Sequence, residues 1–301
     1  MMKADACLGE ETSAKSFLFR RIVMEQIRKL ADRLLVKLQS AGKDFNVEPD
    51  QISIGITTFG NRFDRYFKPL VSRIREYAPD SEVIVAVNGE HRQPFDENYR
   101  RRVLEFISLQ PNVFPIVFPR FRGLSKLWNS IVIHAGHDHI LMLNDDIMIN
   151  KAGFFKDICG AIKAQQGRTF LINQSWSHFL LSRTELDELG YFDERLLGIG
   201  EEDGDMVWRY IRRYGHPIAN VRMKGIVNFA EETVKTYKPA NIQTHSGTKY
   251  SLFNRRFMFS EKYGPSPDGV KGMFDEPVVL KDPGSEQYPN ESFYRRRKDE
   301  L

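Results

Sequence analysis

The feature that most constrains this chain is an alternation running from Ile52 to Asn144. Four short apolar runs, "ISIGITT", "EVIVAV", "NVFPIVF" and "HILMLN", are separated by three segments of helical spacing over about ninety residues. In the first run Ile52, Ile54 and Ile56 alternate with small residues and Gly60 ends the pattern, which predicts a strand. "RFDRYFKPLVSRIREYAPD" predicts a helix interrupted early by Pro69 and stopped before Pro79. Pro115 has no N–H to give a ladder, so the third strand is expected at an edge. Strands alternating with helices in this way predict an α/β fold, a mostly parallel sheet with right-handed crossovers.

Sheets of this kind bind ligands beyond the carboxyl ends of their strands. That rule gathers Thr57 and Thr58, Asn88 and Gly89, and Asn144-Asp145-Asp146 at one edge. A hard divalent cation takes oxygen ligands, and magnesium uses one or two carboxylates plus ligand phosphates. Two acids at a strand end meet that need, although taken alone a turn or a helix cap is the preferred account of them.

After Asn150 the alternation fails. "GFFKDICGAIKAQQG" is expected helical, "TFLINQSWSHFLLS" as two short strands about a polar bend, and "RTELDELGYFDERL" as a short helix closed by Gly190. "GIGEEDGDMVWRYIRRYG" is an acidic loop entering a helix closed by Gly215, and "HPIANV" a further strand. Glu201, Glu202, Asp203 and Asp205 crowd the start of that helix beside Gly198, Gly200 and Gly204. One or two acids would serve as a cap and complement the helix dipole. Four exceed that need, and repulsion among them would raise a pKa toward that of a general base.

Histidines are less telling. His134, His137 and His139 fall at a helix end and a strand entry, opposite the acids, and read as structural. His245, in "IQTHSGTKYS", follows the core among small polar residues and stands as either a late metal ligand or a surface histidine. The sequence contains no GxxxxGK[ST], no GxGxxG after the first strand, no GxSxG and no HExxH, which sets aside P-loop, dinucleotide, serine-hydrolase and zincin readings. A net charge of +4 is too weak to indicate nucleic acid. Cys7 and Cys159 cannot build a disulfide framework, so a reducing, cytoplasmic setting is expected.

Three zones are expected: an extension over 1–50, a compact domain over 51–264 and a Pro-rich, extended or disordered tail over 265–301. In the extension, residues 14–39 carry seven Lys/Arg against Glu25 and Asp32, with Leu18, Ile22, Ile27, Leu30, Leu34 and Leu38 near one helical face. Such a helix packs on the domain or a second copy, the preferred reading, or makes peripheral contact with an anionic membrane. The terminal Lys298-Asp299-Glu300-Leu301 matches a lumenal retention address but is read as coincidence in a charged tail, since no signal peptide is recognised.

Residues 51–264 resemble the inverting nucleotide-sugar glycosyltransferases of GT-A fold, family 2 type, rhamnosyltransferase-like. "ISIGITTFGNR" resembles the family's opening strand and turn, "GLSKLWN" the helix before the metal strand, and "LMLNDDI" the DxD motif read as Asn144-x-Asp146. "FLLSRTELDELGYFDERLLGIGEEDGDMVWRYIRRYGHPI" is similar to the longest signature, ending in Glu-Asp-x-Asp before a helix, and "THSGTKYSLFNRRFMFSEKYG" to the closing segment.

The resemblance implies a metal-dependent enzyme that moves a sugar from a nucleoside-diphosphate donor to a hydroxyl of a glycan or glycolipid. Asp146 would bind Mn2+ or Mg2+ with Asn144 and Asp145 in support and His245 completing the shell. Asp203 would be the general base, with Glu202 the nearest substitute. Thr57, Thr58 and Asn88 would line the nucleotide pocket, with Arg62 and Lys126 near phosphates or ribose. Trp176 and Trp208 offer faces for sugar stacking. Two departures stand out: Asn144 replaces the first acid of DxD, and Val87-Asn88 stands where an acid usually reads the base. The alternatives are a metal-dependent phosphoesterase and a non-catalytic sugar-nucleotide or glycan-binding module.

Overall fold

A computed structural model of the chain describes residues 45–89, 94–229 and 249–263. The basic helix of 14–39, His245 and the tail lie outside the described residues.

Among the described residues nine strands form two sheets. β1 (Ser53–Thr58), β2 (Val83–Val87), β3 (Val113–Val117), β4 (His139–Asn144), β6 (Phe170–Ile172), β7 (Ser175–Ser182) and β8 (Ala219–Val221) form one sheet in the order β3-β2-β1-β4-β7-β6-β8. β5 (Ile147–Ile149) and β9 (Ile226–Asn228) form a small antiparallel pair. β3, β2, β1 and β4 run parallel, and β3 with its Pro115 lies at the edge. The sheet changes direction at β7, which pairs antiparallel with β4. The alternation is therefore visible in the first half, while the reversed strand and the β5–β9 pair follow from contacts distant in sequence.

The helices are α1 (Lys68–Tyr77), α2 (Glu97–Ser108), α3 (Leu124–His134), α4 (Phe154–Ala164), α5 (Arg183–Leu189), α6 (Glu202–Tyr214) and α7 (Lys249–Phe257). Pro69 is seated in the first turn of α1, where its missing N–H has no intrahelical partner to lose, and the turn ahead of it, Phe63–Phe67, is π-helical. α1, α2 and α4 bury Ile74, Val103 and Ile158 against one face of the sheet, where Ile54, Val85 and Leu141 meet them. α3 lies on the other face against β1 and β2. The body begins ahead of β1: Val47 packs on this core, and Phe45 lies beside Gly167. Among the described residues no helix is long and apolar enough to cross a membrane.

Candidate active site

The carboxyl edge of β1, β2 and β4 is where the parallel strands release their chains, and their registers bring the predicted residues level. Thr57 is paired with Asn144, and Thr58 with Val87 just ahead of Asn88. Behind this edge Asp145 and Asp146 are both buried, at 2% and 5% exposure. Thr58 Oγ1 donates to Asp145 Oδ2 at 2.8 Å. Arg62 Nε lies 2.6 Å from Asp145 Oδ1, and Arg62 Nη2 lies 2.6 Å from Asp146 Oδ2. The guanidinium is sandwiched near the rings of Phe59 and Tyr66.

Here the structure differs from expectation. Arg62 was placed near phosphate or ribose, yet its guanidinium is committed to the two acids. Asn88 likewise turns its amide inward: Nδ2 donates to the Arg122 carbonyl at 3.0 Å, and Oδ1 accepts the N–H of Arg122 at 2.8 Å. It ties β2 to the loop before α3 and so shapes the edge through the backbone. Lys126 Nζ lies 3.5 Å from the buried Glu194 Oε2.

Burial pushes the Asp145 carboxyl up to about 7, against the pull of Arg62 and with a push from Asp146. Asp146 retains one oxygen, Oδ1, that is buried and has no hydrogen-bond partner. A second unpartnered group stands nearby on β7. His178 is directly opposite Leu143, three residues before Asp146, and is 3% exposed with neither ring nitrogen bonded. Burial pulls the imidazole down to about 4, and the Asp146 charge opposes that pull, so the ring is neutral at physiological pH. Among the described residues no cluster of three His, Cys, Asp or Glu is arranged to hold a metal ion.

The chain comes back to the same edge by a long return. β7 runs down the sheet to Ser182, opposite His139. Arg183 there donates to the Ala135 carbonyl at 2.6 Å. The chain then climbs along α3: the Asn129 amide bonds the carbonyl and N–H of Phe192, and the Leu124 N–H donates to the Gly198 carbonyl at 2.7 Å. Because α3 starts at the carboxyl edge, Gly198 stands there, and the acids follow within a few residues of it in sequence.

The four acids have divided roles. Glu201 holds Arg255 on the surface, its Oε1 2.6 Å from Nε. Asp205 is fully buried and belongs to an internal network: Lys262 Nζ lies 2.5 Å from Asp205 Oδ1 and 2.7 Å from Asp193 Oδ2, and Arg209 Nε lies 3.0 Å from Asp205 Oδ2. The Tyr263 hydroxyl also donates to Asp205. Burial opposes ionisation of Asp205, yet Lys262 and Arg209 hold its carboxyl below the usual range.

Glu202 is buried, accepts the Gly200 N–H at 2.6 Å, and is pushed up to about 8 by burial and by the charge of Asp203. Asp203 is half-buried and raised by burial, with the Gly204 N–H restraining the rise. Of the pair, Glu202 is buried and Asp203 is the one with solvent access.

Trp176 is half-buried, stacked on Trp128 with ring centroids 6.4 Å apart and met edge-on by Phe179 and Phe192, and Trp208 meets Phe259 and Tyr263 edge-on as packing. Lys262 falls in the closing "SEKYG" that ends the domain, where nothing in the sequence marks it as buried. His178 stands where β7 passes from its polar half, Ser175-Trp176-Ser177, to its apolar half, Phe179-Leu180-Leu181, and this is the faint mark it leaves in the sequence.

No family model matches the chain, and no curated protein matches it. Solved structures do. Glucosyl-3-phosphoglycerate synthase from Mycobacterium tuberculosis, in complex with Mn2+, uridine diphosphate and phosphoglyceric acid, is similar at a TM-score of 0.50 and 12% identity over 74% of this chain and 80% of that one. S. aureus TarS has a TM-score of 0.45 at 16% identity over 70% of this chain, which spans only 44% of the TarS chain. Mannosyltransferase PcManGT from Pyrobaculum calidifontis, in complex with GDP-Man and Mn2+, has a TM-score of 0.42 at 12% identity over 66% of this chain and 65% of that one. At such identities the likeness is one of architecture, and with the seven-stranded, mostly parallel sheet flanked by helices it shows that the chain has the GT-A fold.

Proposed function

We propose that this chain is a metal-dependent inverting glycosyltransferase that moves a sugar from a nucleoside-diphosphate donor to a hydroxyl of a glycan or glycolipid. The observation that supports the reading is a pair of unlike acids, one in the turn after β4 at the carboxyl edge and one five residues past Gly198, whose carbonyl accepts the first N–H of α3. One is a buried aspartate with an oxygen to spare, Asp146, and the other a half-buried carboxylate with raised basicity, Asp203. The synthase that shares the fold is described with Mn2+ and a nucleoside diphosphate, which supports the same donor class here.

The residues fit a divalent cation. Arg62 occupies Asp146 Oδ2 and leaves Oδ1 bare, and a cation held chiefly by substrate phosphates needs only one or two protein carboxylates. Bound there, Mn2+ or Mg2+ would act as a Lewis acid that spreads the charge of the departing diphosphate. Asp145, pinned by Thr58 and Arg62, fixes the turn that presents Asp146.

Asp203 takes the proton of the acceptor hydroxyl as its oxygen bonds to the anomeric carbon. The bond from that carbon to the diphosphate oxygen breaks, and the nucleoside diphosphate leaves with the electron pair. One base and one leaving group on opposite sides give inversion. Trp176, half-buried, offers a stacking surface for a sugar ring. Thr57 lines the rim with Asn144. Among the described residues the lack of a three-ligand cluster weighs against a two-metal phosphoesterase.

A panel of UDP-, GDP- and dTDP-sugars is screened for thermal stabilisation with Mn2+, and the binder is then assayed for transfer. Asp203→Asn is expected to lower kcat by about 10²–10⁴ while donor binding by calorimetry stays within about twofold. Normal transfer by this variant would remove the base assignment, and full activity in chelator would remove the metal.

A further inference from the structure

We propose that His178 is a nitrogen ligand of the cation that Asp146 binds, which rests on the metal reading given above. Three polar atoms without hydrogen-bond partners sit on neighbouring strands: Asp146 Oδ1 and both ring nitrogens of His178. An orphaned buried polar atom is costly, and folded proteins keep few of them. β7 has no structural need for an imidazole here, since Leu180 and Leu181, its next residues toward the amino edge, are fully buried apolar side chains. A leucine at 178 would satisfy the strand at lower cost, so the histidine is kept for a partner.

The position says what that partner is. β4 and β7 are directly paired, and His178 faces Leu143, three residues ahead of Asp146. A carboxylate oxygen and an imidazole lone pair both offer electrons. Something positive, or a donor of two protons, must lie between them. Asp146 Oδ1 and one imidazole nitrogen make the mixed oxygen and nitrogen pair that a first-row divalent cation takes. The other ring nitrogen then carries the N–H and is free to donate to a diphosphate oxygen or a sugar hydroxyl.

Nitrogen ligation also has a consequence for metal choice. A site with an imidazole beside a carboxylate favours first-row transition metals, whereas magnesium and calcium favour oxygen alone. Mn2+ should therefore bind at least about tenfold more tightly than Mg2+, which competes poorly with it.

The test uses the full chain and Mn2+ alone, read by electron paramagnetic resonance. Bound Mn2+ is counted from the loss of the free-ion signal, and pulsed measurement detects coupling to a nitrogen nucleus. Wild type is expected to show nitrogen coupling that changes to the 15N pattern when histidine is 15N-labelled. His178→Leu is expected to lose the coupling and to bind Mn2+ at least about tenfold more weakly, with a melting temperature no lower than wild type. Should that variant not fold, His178→Gln is read in its place, and the labelled wild type stands independently.

Mn2+ that binds through Asp146, as shown by its loss in Asp146→Asn, without nitrogen coupling would overturn the His178 assignment and leave the metal reading intact. Coupling that persists in the His178 variants would also overturn it, because another histidine would be the ligand. Absence of any Mn2+ binding by wild type would overturn both.

Discussion

Arg62 and Asp145 are separated by 83 residues in sequence and by 2.6 Å in space, between guanidinium Nε and carboxylate Oδ1. The same guanidinium reaches Asp146, so one cation organises both acids of the strand-end pair. Its arm comes from the turn after β1 and its partners from the turn after β4, two parallel neighbours in the sheet. The bridge therefore fixes the candidate metal corner only when the sheet has formed.

Breaking a buried ion pair from one side leaves an uncompensated charge, at a cost of about 3–5 kcal/mol. Arg62→Ala is expected to lose that much stability in urea denaturation at pH 8. The loss should shrink at pH 5. Burial already raises Asp145 to about 7 with Arg62 present, and removing the guanidinium takes away a pull in the other direction. The acid is then protonated at pH 5 and no longer leaves a bare charge. An equal loss at both pH values would refute this account.

Lys262 is wholly buried and joins Asp193 to Asp205, which brackets the glycine loop and the candidate base. Asn254 stitches the same loop, accepting the N–H of Leu197 and donating to the carbonyls of Leu197 and Gly200. Lys262→Met removes the shared cation while Arg195 and Arg209 remain with their aspartates. A loss of about 3–5 kcal/mol is expected. Transfer activity should fall even at temperatures where the variant stays folded, because the loop that carries Asp203 loses its tether. Full activity there would show that the network serves stability alone.

Glu202 makes a prediction in pH. Its folded value is raised from 4.5 to about 8, so between these values the folded state holds a proton that the unfolded state has released. Stability from this group is thus present in full below 4.5 and is lost as pH rises through that window, with a slope that approaches about 1.4 kcal/mol per pH unit. Glu202→Gln keeps an oxygen for the Gly200 N–H and cannot ionise. It should be more stable than wild type at pH 8, with a flatter profile from 4.5 upward. A profile parallel to wild type would reject the assignment.

The parallel strands were legible because their signal is local: β-branched runs, Gly60 and Pro115 mark them without reference to the rest of the chain. Gly190 could be read as a helix stop because its φ of 76° suits glycine. The acids at 145 and 146 were legible as a pair, but what they hold was not. Arg62, Thr58 and His178 come from three other elements, and only the folded sheet brings them together. Asp203 and Asp205 look alike in sequence, two residues apart on one helix. A helical turn of roughly 100° per residue sends one toward solvent and the other into the Lys262 network.

The small residue between Ile54 and Ile56 has a reason that only packing supplies. A Cβ on Gly55 would stand 2.4 Å from Ile131 Cγ2 and 2.8 Å from Met142 Sδ. Gly55 lets α3 approach the sheet closely, and the start of that helix bonds Gly198 at the candidate site. Gly55→Ala overpacks this face and is expected to cost about 1–3 kcal/mol. Because α3 must move outward to admit the methyl group, donor affinity should weaken as well, although Gly55 touches no site residue. Calorimetry on the folded variant checks this: unchanged affinity alongside reduced stability would show that the site is insulated from the position of α3.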